Sequence, residues 1–244
     1  MTCSEFTHIA FLLDRSGSMQ SIASDTVGGF AAFIDEQRAL PGRCTVSLAQ
    51  FDTEYDEVYR DRPLAEVPPL TLQPRGSTAL LDSIGRLVNE TGARLAALPE
   101  DERPGTVIVG IMTDGLENAS REFSHPTIKQ MITEQTNAYG WQFLYMGANQ
   151  DAIEVGTSLG VDAGMSVSYG LGAVDAAMRT YGRKAAGLRA AASAGVAPAA
   201  ARMLHAYTAE ERLEAMGGES DTAPKSPRSK QSRPIDAPRP TRRR

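Results

Sequence analysis

The sequence predicts an α/β fold: a doubly wound, mostly parallel central sheet with one antiparallel edge strand and helices on both faces. Three observations carry this. The runs "HIAFLL" (8–13) and "TVIVGIM" (106–112) are continuously apolar and bounded by turn residues, the pattern of parallel strands buried on both faces. "CTVSLAQF" (44–51) and "YDEVYR" (55–60) are separated only by "DTE". That link is too short for a parallel crossover, so the pair forms an antiparallel hairpin with "YDEVYR" at the sheet edge. The remaining segments between strands carry apolar residues at helical spacing.

In chain order, "HIAFLL" is the first strand, and Val27, Phe30 and Ile34 mark one face of the helix that follows it. The hairpin comes next. Leu80, Ile84, Leu87, Val88, Leu95 and Leu98 then define a second helix, and "TVIVGIM" a central strand. Ile128, Met131, Ile132 and Tyr139 define a third helix, followed by "WQFLYMGA" (141–148) as a strand and "MSVSYG" (165–170) as a weaker one. The order βαββαβαβ is that of a doubly wound sheet. From about residue 173 the texture becomes alanine-rich, with Gly182, Gly187, Gly195 and Pro198 as expected interruptions, which predicts two or three helical pieces. Residues 217–244 are rich in Pro, Ser and Arg, with Ile235 as the single sizeable aliphatic side chain. The expected organisation is therefore a domain over 1–172, a helical extension over 173–216 and a disordered basic tail over 217–244.

A chain of 244 residues with 41% hydrophobic content is long enough to bury a sizeable core. The formal charge of −5 divides into about −10 for the body and about +5 for the tail. An acidic body argues against a folded nucleic-acid surface and leaves only the tail as a route to nucleic acid. Cys3 and Cys44 make no disulfide framework and are expected as thiols. The N-terminus lacks a basic n-region, and no stretch approaches about 18 apolar residues. The expected location is cytoplasmic.

In an open parallel sheet, functional groups collect at the carboxyl ends of the strands. Three loops leave or adjoin that edge: "DRSGSM" (14–19), "RGSTALLDSI" (75–84) and "TDGLEN" (113–118). They supply Asp14, Ser16, Ser18, Thr78 and Asp114, without His or Cys. An oxygen-only set suits the hard cations Mg²⁺, Mn²⁺ or Ca²⁺ rather than zinc or copper. Read singly, "SGS" is commonly just a turn. A phosphate-binding loop fits poorly, because no GxxxxGK[ST] occurs. A phosphoaspartate hydrolase would want a second carboxylate where Ser16 stands. A serine nucleophile would need a base, and none of His8, His125 and His205 lies in these loops. Asn149, Gln150 and Asp151 are candidates either for the rim of the site or for a helix cap. Glu117 and Asn118 are candidates either for outer-shell groups or for solvated loop residues.

These motifs resemble the metal-ion-dependent adhesion site (MIDAS) of the von Willebrand factor A (vWA) domain, a DxSxS motif with a later Thr and a later Asp. The resemblance covers roughly residues 6–170. It implies Ser16, Ser18 and Thr78 as direct hydroxyl ligands, Asp14 and Asp114 holding the ion directly or through water, and one open coordination position. It further implies a Rossmann-like vWA fold, no enzymatic activity, and a protein partner whose Glu or Asp completes the shell of a bound Mg²⁺. Helix amino termini after the first two loops are expected to favour the incoming anion. Similar small domains of bacteria and phages accompany AAA+ ATPases, stress and metal-resistance systems or phage structural proteins. Two rival functions remain at this stage: a metal-dependent phosphohydrolase or nuclease on the same sheet, and a nucleic-acid-associated protein acting through the tail.

Overall fold

The computed structural model describes residues 2–218, and the tail expected over 217–244 therefore lies, from residue 219 onward, outside the described residues. Six strands form one sheet: β1 (Cys3–Asp14), β2 (Arg43–Phe51), β3 (Tyr55–Pro63), β4 (Pro104–Thr113), β5 (Gln142–Ala148) and β6 (Ser166–Tyr169), in the spatial order β3-β2-β1-β4-β5-β6. Only β3 is antiparallel to its neighbour, as the three-residue link demands. β1 pairs with β2 through Asp14↔Phe51 and with β4 through Leu13↔Met112. Connections depart in opposite directions from β1 and β4, so the crevice above their carboxyl ends is the topological switch point.

The helices are α1 (Ala23–Arg38), α2 (Leu80–Ala97), α3 (His125–Ala138), α4 (Ala152–Ser158), α5 (Val174–Ser193), α6 (Pro198–Leu204) and α7 (Ala209–Ala215). Helix α3 starts at Ser124, whose side chain accepts from the Thr127 amide. Tyr139 was expected on its buried stripe but is 66% exposed. It follows the last helical residue, where the 3.6-residue period no longer governs direction, and Ile128 and Ile132 carry the burial instead. The short α4 has too few apolar positions to show a period.

Helix α5 packs against α1, β1 and β4. Its Tyr181 joins Phe11, Phe30 and Phe33 in an aromatic cluster with ring centroids 5.0–6.0 Å apart. Each such side chain contributes about 1.5–3 kcal/mol on burial. The expected breaks at Gly182 and Gly187 do not occur, because both lie inside α5. A Cβ at Gly182 would collide with the Glu36 carboxylate, and one at Gly187 with the His205 ring. These glycines mark close packing. Polar bolts reinforce it: the Gln37 amide donates to Gly182 O at 3.1 Å, and Arg189 donates to Gln37 O at 2.9 Å. Gly195, at φ 74°, follows the end of α5, and Pro198 opens α6. Both cysteines are free thiols. No helix among the described residues is long and apolar enough to cross a membrane.

Candidate metal centre

Asp14 is the last residue of β1 and fully buried. Its Oδ1 accepts the Ser16 amide at 2.6 Å, and its Oδ2 accepts the Thr113 hydroxyl, from the end of β4, at 2.5 Å. The chain then enters a 3-10 turn (Gly17–Ser21) that brings the Ser16 and Ser18 hydroxyl oxygens to 3.1 Å. The Ser18 hydroxyl donates to Asp114 Oδ1 at 2.6 Å, linking the first loop to the loop after β4. Thr78 comes from the second loop and is buried. A Cβ placed on Gly115 would lie 3.2 Å from Thr78 Oγ1 and 3.6 Å from Ser18 Oγ, so both hydroxyls border the same small space. Asp14, Ser16, Ser18, Thr78 and Asp114 therefore gather above β1 and β4.

The flanking residues divide into wall and frame. Asn118 Oδ1 accepts the Thr78 amide at 2.9 Å, and the Asn118 amide donates back to Thr78 O at 3.0 Å. Glu117 accepts the amides of Leu81, Ala119 and Ser120. Both residues build the loop around Thr78. At the amino end of α2 the Leu81 amide is bonded to the Glu117 carboxylate and the Asp82 amide to the Ser120 hydroxyl, so these two donors are already committed within the loop. Asp151 caps α4 by accepting the amides of Ile153 and Glu154, and the Gln150 amide group is buried. Asn149 stands at the rim, donating to Asp114 O at 3.4 Å.

The two carboxylates are electrostatically unsatisfied. Burial pushes the Asp14 carboxyl up to about 6, against the lowering effect of its bonds from Thr113 and Ser16. Burial likewise holds the Asp114 carboxyl above its ordinary range, opposed by Ser18. Arg15 lies between Asp14 and Ser16 in sequence, yet its guanidinium turns to Asp52 and Asp56. Two buried acids beside three hydroxyls thus lack a cationic partner in their hydrogen bonds. Among the described residues no three His, Cys, Asp or Glu side chains form a metal-binding group. The two carboxylates and three hydroxyls that the loops bring together fit a hard cation held partly by neutral oxygens.

None of the three histidines bonds to this site. His8 Nδ1 lies 2.9 Å from Thr45 Oγ1 and His125 Nε2 lies 3.0 Å from Ser158 Oγ, while His205 caps the end of α6. Beside Thr78 opens a polar groove of about 920 Å³, with Ser77, Ala79 and Asn118 at its near end. Glu54, Asp56, Arg86 and Glu122 are among its other lining residues. Two members of the site escaped sequence reasoning. Thr113 orients Asp14, and its place directly before Asp114 was the available signal. Asp52 receives Arg15 from 37 residues away in sequence, a partnership with no local signature.

No family model matches the sequence, and no curated relative matches it. Among solved structures the chain is similar to proximal thread matrix protein 1 from the mussel byssus, with TM-score 0.51 and 16% identity over 74% of this chain and 46% of that one. It is also similar to the vWF domain of the type V pili tip protein Mfa5 from Porphyromonas gingivalis, with TM-score 0.51 and 10% identity over 73% and 94%. A third likeness is to the pilus adhesin SpaC from Lactobacillus rhamnosus GG, with TM-score 0.53 and 12% identity over 74% and 30%. The chain thus spans about half the length of the mussel protein and less of the adhesin. At these identities the likeness is one of fold: the mixed sheet and its flanking helices are those of a von Willebrand factor A domain.

Proposed function

We propose that this chain is a divalent-cation-dependent protein-binding module, an adhesion or adaptor domain whose partner presents a Glu or Asp. Ser16, Ser18 and Thr78 would hold the cation through hydroxyl oxygens, and Asp14 and Asp114 would supply the negative charge. The observation that carries the reading is the hydrogen-bonded chain from Ser16 Oγ through Ser18 Oγ to Asp114 Oδ1, set beside buried Asp14 at the β1/β4 switch point. A cation bound largely through neutral hydroxyls supplies an electrophilic position able to accept an outside carboxylate. The protein's own part is to fix the hydroxyls before binding. The Thr113 hydroxyl orients Asp14, and Asn118 holds Thr78 by its backbone amide and its backbone carbonyl. The groove beside Thr78 gives a partner segment room to lie against the domain. The proposed cation is Mg²⁺, with Mn²⁺ or Ca²⁺ able to substitute.

The test is copurification of partners on the immobilised full chain in Mg²⁺ and in EDTA, with Asp14→Ala in parallel and mass spectrometry as the readout. The reading expects a partner retained only by the wild-type chain in Mg²⁺. A partner held equally in EDTA by a chain shown to load the cation overturns it, as does Mg²⁺-dependent hydrolysis of phosphoesters that Asp14→Ala abolishes.

A further inference from the structure

We infer that Asp52, which is not among the cation's ligands, is the positioning residue that sets the spacing between the first and second ligand loops; this rests on the cation site proposed above. Asp52 directly follows β2 and is 1% exposed. Its Oδ2 accepts Arg15 Nε at 2.9 Å and Arg75 Nε at 2.8 Å. Its Oδ1 accepts the Glu54 amide at 2.7 Å, and its backbone carbonyl accepts the Ala79 amide at 2.8 Å. Arg15 sits between ligands Asp14 and Ser16. Arg75 and Ala79 bracket Thr78. One side chain and its own peptide carbonyl therefore grip both loops, on either side of the residues that would touch the ion.

Two backbone bonds close the same seam: the Arg75 amide donates to Arg15 O at 2.7 Å, and the Gly17 amide to Gly76 O at 3.2 Å. The Asp52 carboxylate lies between the two guanidiniums that this seam brings together, and Asp56 and Glu54 complete their neutralisation. Neutral hydroxyls are weak ligands, so affinity depends on holding Ser16, Ser18 and Thr78 at the right separation beforehand. Outer partners of metal ligands typically contribute about 10- to 100-fold in affinity by such orientation. Asp52 further keeps the Arg15 guanidinium turned away from Asp14 and Asp114, where it would compete with the cation.

The experiment is titration of the full chain with Mn²⁺, followed by its electron paramagnetic resonance signal. Asp52→Asn is expected to weaken Mn²⁺ binding at least about tenfold. Arg75→Ala, whose side chain is 56% exposed and so tolerates change, is expected to weaken it about threefold by freeing one arm of the seam. Thr78→Ala should cost less in the Asp52→Asn background than in wild type, because an unpositioned ligand has less to lose. Ile132→Val in distant α3 controls for general destabilisation and should leave the affinity unchanged. If Asp52→Asn does not fold, Arg75→Ala decides. Wild-type affinity in a folded Asp52→Asn or in Arg75→Ala, or full additivity with Thr78→Ala, overturns the inference while leaving the cation site standing. Failure of the wild-type chain to bind Mn²⁺, or binding insensitive to Asp14→Ala, sinks the site itself.

Discussion

Asp14 and Asp52 stand at the ends of neighbouring strands, and both are at most 1% exposed, yet their surroundings drive them in opposite directions. Around Asp14 burial dominates, and two hydroxyl and amide donors do not offset it, so its carboxyl rises to about 6. Around Asp52 burial also opposes the charge, but bonds from Arg75, the Glu54 amide and Arg15 outweigh it and hold the carboxyl below its ordinary range. The difference lies in who supplies the cation. At Asp52 the chain supplies two guanidiniums and the charge is committed to structure. At Asp14 it supplies none, and the charge stays available to a cation from outside.

The largest effects should come from removing each charge in turn. Asp52→Asn leaves Arg15 buried with a weakened partner, and loss of one member of a buried pair costs about 3–5 kcal/mol. Chemical denaturation of the metal-free chain should show a loss near the lower figure, because Asp56 still pairs with Arg15. Asp14→Asn should do the reverse. It removes an uncompensated buried charge at neutral pH, keeps an acceptor for the Ser16 amide, and should stabilise the metal-free chain by about 1–2 kcal/mol. If both variants lose stability to the same degree, the two acids are not different in kind.

Acidity sharpens the contrast. The folded Asp14 carboxyl titrates near 6 and its unfolded counterpart near 3.9, so the native state binds the proton more tightly. The Asp14 contribution is fully present below about pH 4 and is lost as pH rises through about 6, up to roughly 3 kcal/mol. The stability of Asp14→Asn minus that of wild type should therefore climb across that window and then level. His8 works with the opposite sign. Burial is the main cause that lowers its pKa to about 4, so its contribution is present above about 6.5 and is lost as pH falls towards the folded value. The two partly cancel in wild type, and Asp14→Asn should expose the His8 slope. A flat difference profile would mean that Asp14 is not held in its raised state.

Added cation should reverse the disadvantage of Asp14. With Mg²⁺ at about 100 times its Kd, mass action adds about 2.7 kcal/mol, seen as a rise in Tm. Thr78→Ala should reduce that rise without unfolding the chain, and Asp14→Asn should abolish it. Identical shifts in wild type and Thr78→Ala would place the cation elsewhere.

How much of this was legible beforehand follows the range of the contacts. Ser16 and Ser18 lie within four residues of Asp14, so "DRSGSM" displays three of the five site residues locally, and Thr78 and Asp114 stand in short motifs at strand or helix boundaries. The strands were legible for the same reason, since "HIAFLL" and "TVIVGIM" show their burial in consecutive residues. Asp52 was not legible. "FDTEYDE" contains four acids, and what separates Asp52 from Glu54 and Asp56 is its burial and its acceptance of both Arg15 and Arg75 on one oxygen, neither of which has a local signature. Gly182 and Gly187 were misread as breaks because glycine's helix cost is local whereas its packing benefit, against Glu36 and His205, is not. Tyr139 failed in the opposite way: its spacing fits α3, but the helix ends before it.

The smallest predicted effect probes the seam between the two regions. Gly76 has φ 67°, a left-handed conformation that side chains resist, and a Cβ there would lie 3.2 Å from Thr53 Oγ1 and 3.3 Å from Asp52 Cβ. Gly76→Ala should cost about 1 kcal/mol, from backbone strain together with slight displacement of the Asp52 turn. Its carbonyl accepts the Gly17 amide, so the same displacement reaches the Ser16–Ser18 turn. Mn²⁺ affinity should therefore fall by about twofold, more than a distant substitution of equal stability cost would produce. If affinity holds while stability drops, the strain is absorbed within the Asp52 cluster, and the two carboxylates, though adjacent, do not communicate through Gly76.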